Sequence, residues 1–324
     1  MLGMVWGGDA EDTLNKRLKE LLEATPSQAV AQDPHKKVRD AYKACMDTER
    51  IKNMSFVPLI DLFGTLGVWD NGPLHKLDWV PSGGIRATEN WYKMISEMRK
   101  KGLSISKNLF IQFKVDMDCE DTSKYKIFVD QPDLLMPQHI LVLGDTNNNP
   151  LIGEYQKLIG GFLKLLDQTI DARTAEETAK SLVKFEIELA KIMKPREQLC
   201  DKTKKMTIGE MSSKYPSIPW RKFFTDMLGE EWEDNIAPGD ELEDNDEVIV
   251  GNTDYMEKLM ELLDTNVTPL RVQMAYIMWR TITDLYKLLH EDVLEFFFQL
   301  TKEISGQTQV CTNVLDDHKS LNLS

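Results

Sequence analysis

Histidine is the residue type whose spacing would reveal a helical metal site in this chain. Such a zinc site places two histidines one helical turn apart, with a glutamate between them that activates a metal-bound water. The five histidines are far apart in the sequence: His35, His75, His139, His290 and His318. The nearest imitation begins at His290, but Leu294 occupies the position of the second ligand and cannot bind a metal. The sequence therefore predicts no metal site, and His290 is better explained as the start of a helix.

Other catalytic groups lack the neighbours that would activate them. A serine or cysteine nucleophile needs an activating base, and the chain has neither a Gly-x-Ser-x-Gly elbow nor a recognisable cysteine-peptidase signature. Gly160-Gly161 lies within a helical pattern, where a close helix crossing is a simpler explanation than phosphate binding. The sequence thus predicts no catalytic residue and no cofactor in this chain.

The cysteines leave two interpretations open. Their number is even and their spacing is wide: Cys45, Cys119, Cys200 and Cys311. That spacing excludes the common zinc-ribbon and Cys-x-x-Cys redox patterns. From the count alone they are either two disulfides or four buried thiols.

Three Asn-x-Ser/Thr sequons favour an extracellular setting, either as a secreted protein or as the ectodomain of a membrane protein. The candidate glycosylation sites are Asn53, Asn266 and Asn322. Pro269 directly follows the second sequon and weakens it. Residues 1–8 have neither a basic region nor a long apolar core, so no signal peptide is visible in this chain.

The charge balance excludes one class of partner. The formal net charge is -14 and the isoelectric point is about 4.9. Nucleic-acid binding needs a basic surface, and no basic stripe is visible. No run of about 18 apolar residues occurs either, so the sequence predicts no membrane span.

Helical periodicity dominates the chain. In the first predicted helix, Leu14, Leu18, Leu21 and Leu22 share one face. The predicted helices cover residues 11–24, 36–53, 57–66, 89–101, 152–171, 174–193, 207–214, 220–228, 255–263, 269–289 and 291–304. The predicted fold class is mainly α, a multi-helix lobe with one β-hairpin at about residues 105–131.

The hairpin is the one clear β signal. Leu109–Val115 and Lys124–Val129 are alternating runs joined by a polar stretch, which predicts an antiparallel pair. Val248–Val250 is predicted as a short edge strand. The short helix after Thr207 has the Thr-x-x-Glu pattern of a capping box, with Glu210 three positions on.

Three further features have structural explanations. Cys45 lies on the apolar side of its predicted helix, so we expect it to face the core. Residues 229–247 are rich in Asp and Glu and predict a solvated acidic loop; a calcium loop is the sharper alternative, but the Asp-x-Asp-x-Asn-Gly pattern is missing. The three aromatic residues Phe296–Phe298 cannot all point one way on a helix. We therefore expect some of these side chains to lie in the core and the others to be available for an interface.

The order of several segments resembles the N-terminal domain of the neprilysin and endothelin-converting-enzyme family, from about Glu11 to Cys311. The most specific stretch is Arg39–Ile51, followed by Pro58-Leu59 and the Gly67-Val68-Trp69 turn. The hairpin exit, Val129–Pro137, is similar to the family's Asp-Gln-Pro-x-Leu-x-Leu-Pro. Further matches in family order are Glu186–Ile192, Lys205–Thr207, Ile218–Trp220, Asp246–Val250 and Tyr276–Arg280.

The resemblance carries its own expectations. It implies a disulfide between Cys45 and Cys311, and we suggest a second between Cys119 and Cys200, which depart from the better-known members. The family's Pro-Cys-x-x-Phe-x-x-Tyr-x-x-Gly core before Glu11, and its rear half with the zinc site and Asn-Ala-x-Tyr strand, are missing here. In full-length relatives the helical lobe faces a catalytic lobe across a closed chamber and limits access to small peptides. The resemblance therefore implies a gating role, with zinc in full-length relatives and no catalytic residue in this chain.

The sequence thus predicts a disordered N-terminus at 1–10, a neprilysin-like helical domain at 11–312 and a tail at 313–324. Its predicted function is that of a catalytically incomplete metallopeptidase relative, inactive as a peptidase by itself. The alternatives are a secreted module that binds a peptide or protein ligand as a decoy, a lobe that works with a separately encoded catalytic half, and a piece of a full-length metalloendopeptidase.

Overall fold

The structure is a computed structural model that describes residues 6–24, 34–69, 72–79, 90–118, 120–144, 149–195, 203–229 and 241–305. Its helices are α1 (Trp6–Glu23), α2 (Pro34–Met46), α3 (Thr48–Met54), α4 (Val57–Thr65), α5 (Asn90–Lys100), α6 (Gln138–Gly144), α7 (Pro150–Leu166), α8 (Ala172–Ile192), α9 (Ile208–Lys214), α10 (Trp220–Leu228), α11 (Thr253–Leu262), α12 (Leu270–Leu285) and α13 (Glu291–Ser305). Its strands are β1 (Gln112–Met117), β2 (Tyr125–Asp130), β3 (Lys204–Thr207) and β4 (Glu247–Val250), and two 3-10 helices cover Ser104–Lys107 and Tyr286–Leu288. The predicted mainly α fold is confirmed.

The chain divides into two compact units. The first unit comprises Met1–Val57 and Leu285–Ser324, and the second unit comprises Pro58–Asp284. The predicted domain at 11–312 therefore spans both units. The whole sheet lies in the second unit.

Helices α7 and α8 pack closely in the second unit. A Cβ atom on Gly160 of α7 would lie 3.7 Å from the carbonyl oxygen of Ala175 and 3.9 Å from Cβ of Ala179, both on α8. Three small residues thus meet where the helices cross, and a large side chain at any of them would push the helices apart. The predicted close crossing at Gly160 is confirmed.

The four strands form one sheet in the order β1-β2-β4-β3. The predicted hairpin is confirmed as the antiparallel pair β1 and β2, with Phe113 opposite Val129. β4 runs parallel to β2 and antiparallel to β3. The edge position predicted for Val248–Val250 is therefore wrong, because β3 pairs with its outer side. β3 was not predicted, since its four residues include one buried apolar side chain, Met206.

Local capping interactions fix the helix starts. Thr207 Oγ1 accepts a hydrogen bond from the backbone N–H of Glu210 at 3.1 Å, and Glu210 Oε2 accepts one from the N–H of Thr207 at 2.9 Å. This is the predicted capping box. Asp47 Oδ1 accepts a bond from the N–H of Arg50 at 3.1 Å and starts α3. The helix predicted over 36–53 is therefore two helices, because a short acidic side chain competes well for free N–H groups at a helix start.

Several apolar side chains on α1 and α2 of the first unit are exposed. Leu14, Leu18 and Leu21 of α1 are exposed by 57%, 45% and 67%, and Val38 of α2 by 56%. Cys45 is an exposed free thiol, so the prediction that it faces the core is wrong. Periodicity shows which residues share a helix face, but it does not show that another element covers that face. No helix in the described ranges is long and apolar enough to cross a membrane.

Candidate functional site

A group of polar side chains is buried in the second unit, where the chain leaves the hairpin. Glu186 of α8 is 1% exposed. Its Oε1 accepts a hydrogen bond from the backbone N–H of Leu135 at 3.1 Å, and its Oε2 accepts one from the Tyr155 hydroxyl at 2.9 Å. That hydroxyl accepts a bond from Trp279 Nε1 at 3.1 Å. We name Glu186, Tyr155, Trp279 and Arg280 the buried polar cluster.

Arg280 of α12 supplies the positive charge of the buried polar cluster. Its Nη1 donates hydrogen bonds to the carbonyl oxygen of Asp133 at 2.8 Å and to the Tyr276 hydroxyl at 3.0 Å. Burial opposes the charge on this guanidinium, but Tyr276 and Glu186 hold the pKa of Arg280 above its ordinary value. Burial also raises the pKa of Glu186, and Arg280 is the strongest group that opposes this rise. Each charge therefore makes the other tolerable in the interior.

The chain after β2 is held in place by hydrogen bonds along its length. We name residues 131–138 the exit segment. Gln131 Nε2 donates to the carbonyl oxygen of Lys194 at 2.7 Å, and its Oε1 accepts from the N–H of Lys194 at 3.0 Å. Gln138 Nε2 donates to the carbonyl oxygens of Ala190 at 3.0 Å and Met193 at 2.9 Å. The exit segment is thus held at both ends by the end of α8 and in the middle by the buried polar cluster.

A cleft of about 700 Å³ opens beside the exit segment. Its lining includes the exit segment apart from Leu135, together with Gln112, Asp130, Met193 and Lys194. We name it the exit cleft. Asp130 Oδ1 accepts a hydrogen bond from the N–H of Gln131 at 2.7 Å. Burial raises the pKa of Asp130 above its ordinary value. The exit cleft therefore combines a preorganised wall with a partly desolvated carboxylate.

A second cleft of about 770 Å³ lies against the sheet. Apolar side chains such as Val115, Tyr125 and Leu228 line it together with the segment 241–248. That segment includes the described end of the predicted acidic loop; residues 230–240 lie outside the described ranges. Lys126 of β2 forms an ion pair with Glu247. This cleft is open and mixed in character, and it brings no catalytic pair together.

The histidines that the structure describes do not assemble into a zinc site. His75 Nε2 lies 3.0 Å from Asp167 Oδ2, and His139 is exposed on α6. His290 precedes α13, where Leu294 is buried, so its position before a helix start is confirmed. No group of three His, Cys, Asp or Glu residues in the described ranges could hold a metal ion. The side chain of His35 and the whole of His318 lie outside those ranges. The part of the chain that the structure describes therefore offers no set of ligands for the zinc ion that full-length relatives are expected to bind.

The predicted disulfides stay predictions. Cys45 has a free thiol on α2. Its predicted partner, Cys311, lies outside the described residues, as do Cys119 and Cys200.

The three aromatic residues Phe296–Phe298 were predicted to divide between the core and an interface. Phe297 is 4% exposed and stacks on Tyr286 with ring centroids 4.4 Å apart, whereas Phe296 and Phe298 are partly exposed.

Two of the three sequons fall within the described residues. Asn53 is exposed at the end of α3. Asn266 is exposed too, but its Nδ2 donates a hydrogen bond to Asp264 Oδ1 at 2.8 Å, and Thr268 of the same sequon is 6% exposed. Asn53 is thus the more accessible of the two sites. Asn322 lies outside the described residues.

The buried polar cluster was missed by the sequence-based prediction. Glu186 and Arg280 were noted there as parts of family-like segments, with no contact predicted between them. The available signal was a charged residue directly after an apolar run, as Arg280 follows residues 274–279 in α12. Such residues are almost never fully buried unless they are paired. The partner could not be identified, because it lies on another helix 94 positions away.

The sequence matches known proteins along nearly its whole length. The profile of Peptidase family M13 matches residues 5–321. Endothelin-converting enzyme-like 1 of Homo sapiens is 25% identical over 297 residues, which cover 90% of this chain and 35% of that protein. Neprilysin-11 of Caenorhabditis elegans is 24% identical over 315 residues, which cover 93% of this chain and 34% of that protein. The chain spans about a third of the length of these curated relatives.

Solved structures show the same fold. The zinc metalloprotease Zmp1 of Mycobacterium tuberculosis in its open state has a TM-score of 0.73 at 17% identity, over 97% of this chain and 43% of that one. PepO of Lactobacillus rhamnosis HN001 has a TM-score of 0.70 at 13% identity, over 97% of this chain and 45% of that one. At these identities the likeness concerns the fold alone.

Proposed function

The chain belongs to the N-terminal domain of Peptidase family M13, and from this membership we propose that it forms the helical lobe that controls peptide access in such peptidases. The observation that carries the proposal is the family match over residues 5–321. The sequence supplies no pair of histidines at helical spacing. We therefore propose that the chain does not hydrolyse peptides by itself.

A protein partner is the second part of the proposal. Leu14, Leu18 and Leu21 recur at the spacing of one helix face of α1 and are largely exposed. Apolar side chains that cluster on one exposed face favour association with another protein surface. We propose that this face, which we name the α1 stripe, contacts the catalytic lobe with which the chain works.

The test is reconstitution with a separately expressed catalytic lobe. The lobe is taken from one of the full-length relatives, and zinc-dependent cleavage of a short and a long quenched peptide is measured with and without this chain. We expect chelator-sensitive cleavage in the mixture, with the short peptide preferred. Cleavage that is the same without the chain, or the same for both peptides, would rule out the gating role.

A matched pair of variants tests the α1 stripe in the same assay. Leu14→Ser/Leu18→Ser/Leu21→Ser removes the apolar face, and we expect the chain concentration needed for half-maximal cleavage to rise by about tenfold or more. Lys16→Ser/Glu20→Ser changes exposed polar residues of the same helix and is expected to leave it unchanged. Equal effects of the two variants would contradict a role for the stripe.

The second candidate function is a stand-alone binding module outside the cell. The exposed sequon at Asn53 favours an extracellular setting, and the exit cleft offers a binding surface. This candidate predicts peptide binding without any cleavage when a catalytic lobe is added. If the protein is extracellular, we expect glycan mapping of the secreted protein to find Asn53 glycosylated.

A further inference from the structure

Asp130 is placed in the exit cleft by an unusual local arrangement. It ends β2, and Gly251 follows the neighbouring strand β4. A Cβ atom at position 251 would lie 2.3 Å from both Cγ and Oδ2 of Asp130. Any residue other than glycine would therefore displace this carboxylate. The sheet thus has a built-in space for the Asp130 side chain.

The carboxylate of Asp130 has no basic partner among the residues that the structure describes. Lys114 of β1 is the basic group whose charge reaches Asp130, but its Nζ lies 2.9 Å from Asp116 and forms an ion pair there. Lys194 lines the same cleft, and its Nζ is bound to Asp254. The nearby cations are thus already engaged. A partly buried carboxylate without a partner favours binding an added cation.

The surroundings of Asp130 are rigid on one side. The neighbouring Gln131 is fixed to Lys194 by two hydrogen bonds and accepts a third, at 3.1 Å, from Asn252 Nδ2. Asp133 adds a second carboxylate to the lining, and its Oδ2 accepts a bond from Asn108 Nδ2 at 3.1 Å. A wall that is ordered before binding reduces the entropy lost when a ligand binds.

We propose that the exit cleft binds the basic side chain of a peptide, with the carboxylate of Asp130 as its ion-pair partner. The volume of about 700 Å³ is within the range of small-ligand sites, and it accommodates an arginine or lysine side chain with its flanking backbone. The site needs no catalytic lobe, so it would bind such a peptide even if reconstitution failed.

The test is an NMR titration of the whole chain with acetyl-Ala-Arg-Ala-amide. The same peptide with citrulline in place of arginine keeps the shape and removes the charge. We expect saturable binding of the arginine peptide, with chemical-shift changes at the backbone N–H groups of Asp130, Gln131, Asp133 and Leu134. We expect the citrulline peptide to bind at least about fivefold more weakly. Equal binding of the two peptides, or shifts elsewhere, would overturn the proposal.

Variants separate the carboxylate from general charge. Asp130→Asn keeps an acceptor for the N–H of Gln131. We expect the arginine peptide to bind this variant at least about fivefold more weakly than the unaltered chain. Asp61→Asn removes the same charge from an exposed position of α4 outside the cleft and is expected to bind as the unaltered chain does. Equal binding by Asp130→Asn and the unaltered chain would overturn the proposal.

A second measurement does not depend on the variant folding. The pKa of Asp130 is followed by carbon NMR in the unaltered chain with and without saturating arginine peptide. An ion pair stabilises the ionised carboxylate, so the pKa is expected to fall when the peptide binds. An unchanged pKa at saturation would place the peptide elsewhere.

Discussion

We expect Arg280→Met to lower the free energy of unfolding by about 3 to 5 kcal/mol. Methionine has a similar length but cannot replace the hydrogen bonds to the Asp133 carbonyl and the Tyr276 hydroxyl. The substitution also leaves the buried Glu186 carboxyl group without the group that most opposes the rise in its pKa. Urea unfolding followed by tryptophan fluorescence measures the loss, because Trp279 belongs to the same cluster.

Two control experiments accompany this prediction: the same Arg→Met change at an exposed position, and a second substitution at Glu186. Arg173→Met lies at an exposed position of α8 and is expected to change the unfolding free energy by about 0.5 kcal/mol or less. Adding Glu186→Gln to Arg280→Met removes the uncompensated charge, and we expect it to recover part of the loss. A loss below about 1 kcal/mol in Arg280→Met would contradict mutual stabilisation of these two buried groups.

The same variant has an expected pH dependence. Without Arg280, the folded-state pKa of Glu186 rises further above its ordinary value of 4.5. A raised pKa in the folded state means that the protonated form is favoured there, so the contribution of Glu186 to stability is present below pH 4.5 and is lost as the pH rises through the folded-state pKa. The deficit of Arg280→Met is therefore expected to be smallest at acid pH and to grow towards neutral pH.

Trp220→Ala is expected to lower the free energy of unfolding by about 3 to 5 kcal/mol. Trp220 is fully buried at the start of α10, and its Nε1 donates a hydrogen bond to the carbonyl oxygen of Tyr215 at 2.9 Å. Its ring centroid lies 5.4 Å from that of Phe224, which in turn lies 6.1 Å from that of Phe113 on β1. The substitution thus leaves a cavity beside Tyr215 and Phe224 at the start of α10. Thermal or urea unfolding measures the loss.

Two further variants test whether the loss of stability comes from the cavity. Trp220→Phe keeps most of the ring volume but loses the hydrogen bond, and we expect a smaller loss of about 1 to 2 kcal/mol. Tyr125→Ala removes an aromatic ring that is 68% exposed and is expected to cost about 0.5 kcal/mol or less. If Trp220→Ala cost no more than Tyr125→Ala, the cavity argument would fail.

Local signals in the sequence were sufficient to predict the mainly helical fold, the β-hairpin and the close crossing of α7 and α8. The capping box at Thr207 and Glu210 depends on four consecutive residues, so it could be recognised without any tertiary contact. Gly160 pointed to a close helix crossing because a glycine inside a helix is costly unless small size is needed. Both features were confirmed.

Features that depend on distant contacts could not be predicted in the same way. The central position of β4 depends on β3, a strand of four residues that begins 43 positions earlier in the chain. The exposure of Cys45 depends on whether other elements cover α2, which periodicity does not report. The electrostatic interaction of Glu186 with Arg280 joins separate elements of the second unit, and so does the space at Gly251 for the Asp130 carboxylate. The candidate site was therefore found from the structure, although Asp130, Glu186 and Arg280 lie in segments that resemble the family.

The measurement that tests the central claim most directly is the zinc content and peptidase activity of the purified chain alone. The chain is supplied with zinc, dialysed and assayed against a library of quenched peptides with and without a chelator. We predict no bound zinc and no chelator-sensitive cleavage, as expected for a lobe that controls access and has no catalytic centre. One zinc ion per chain together with chelator-sensitive cleavage would contradict the account, because the chain would then have a metal site that its histidine spacing does not predict.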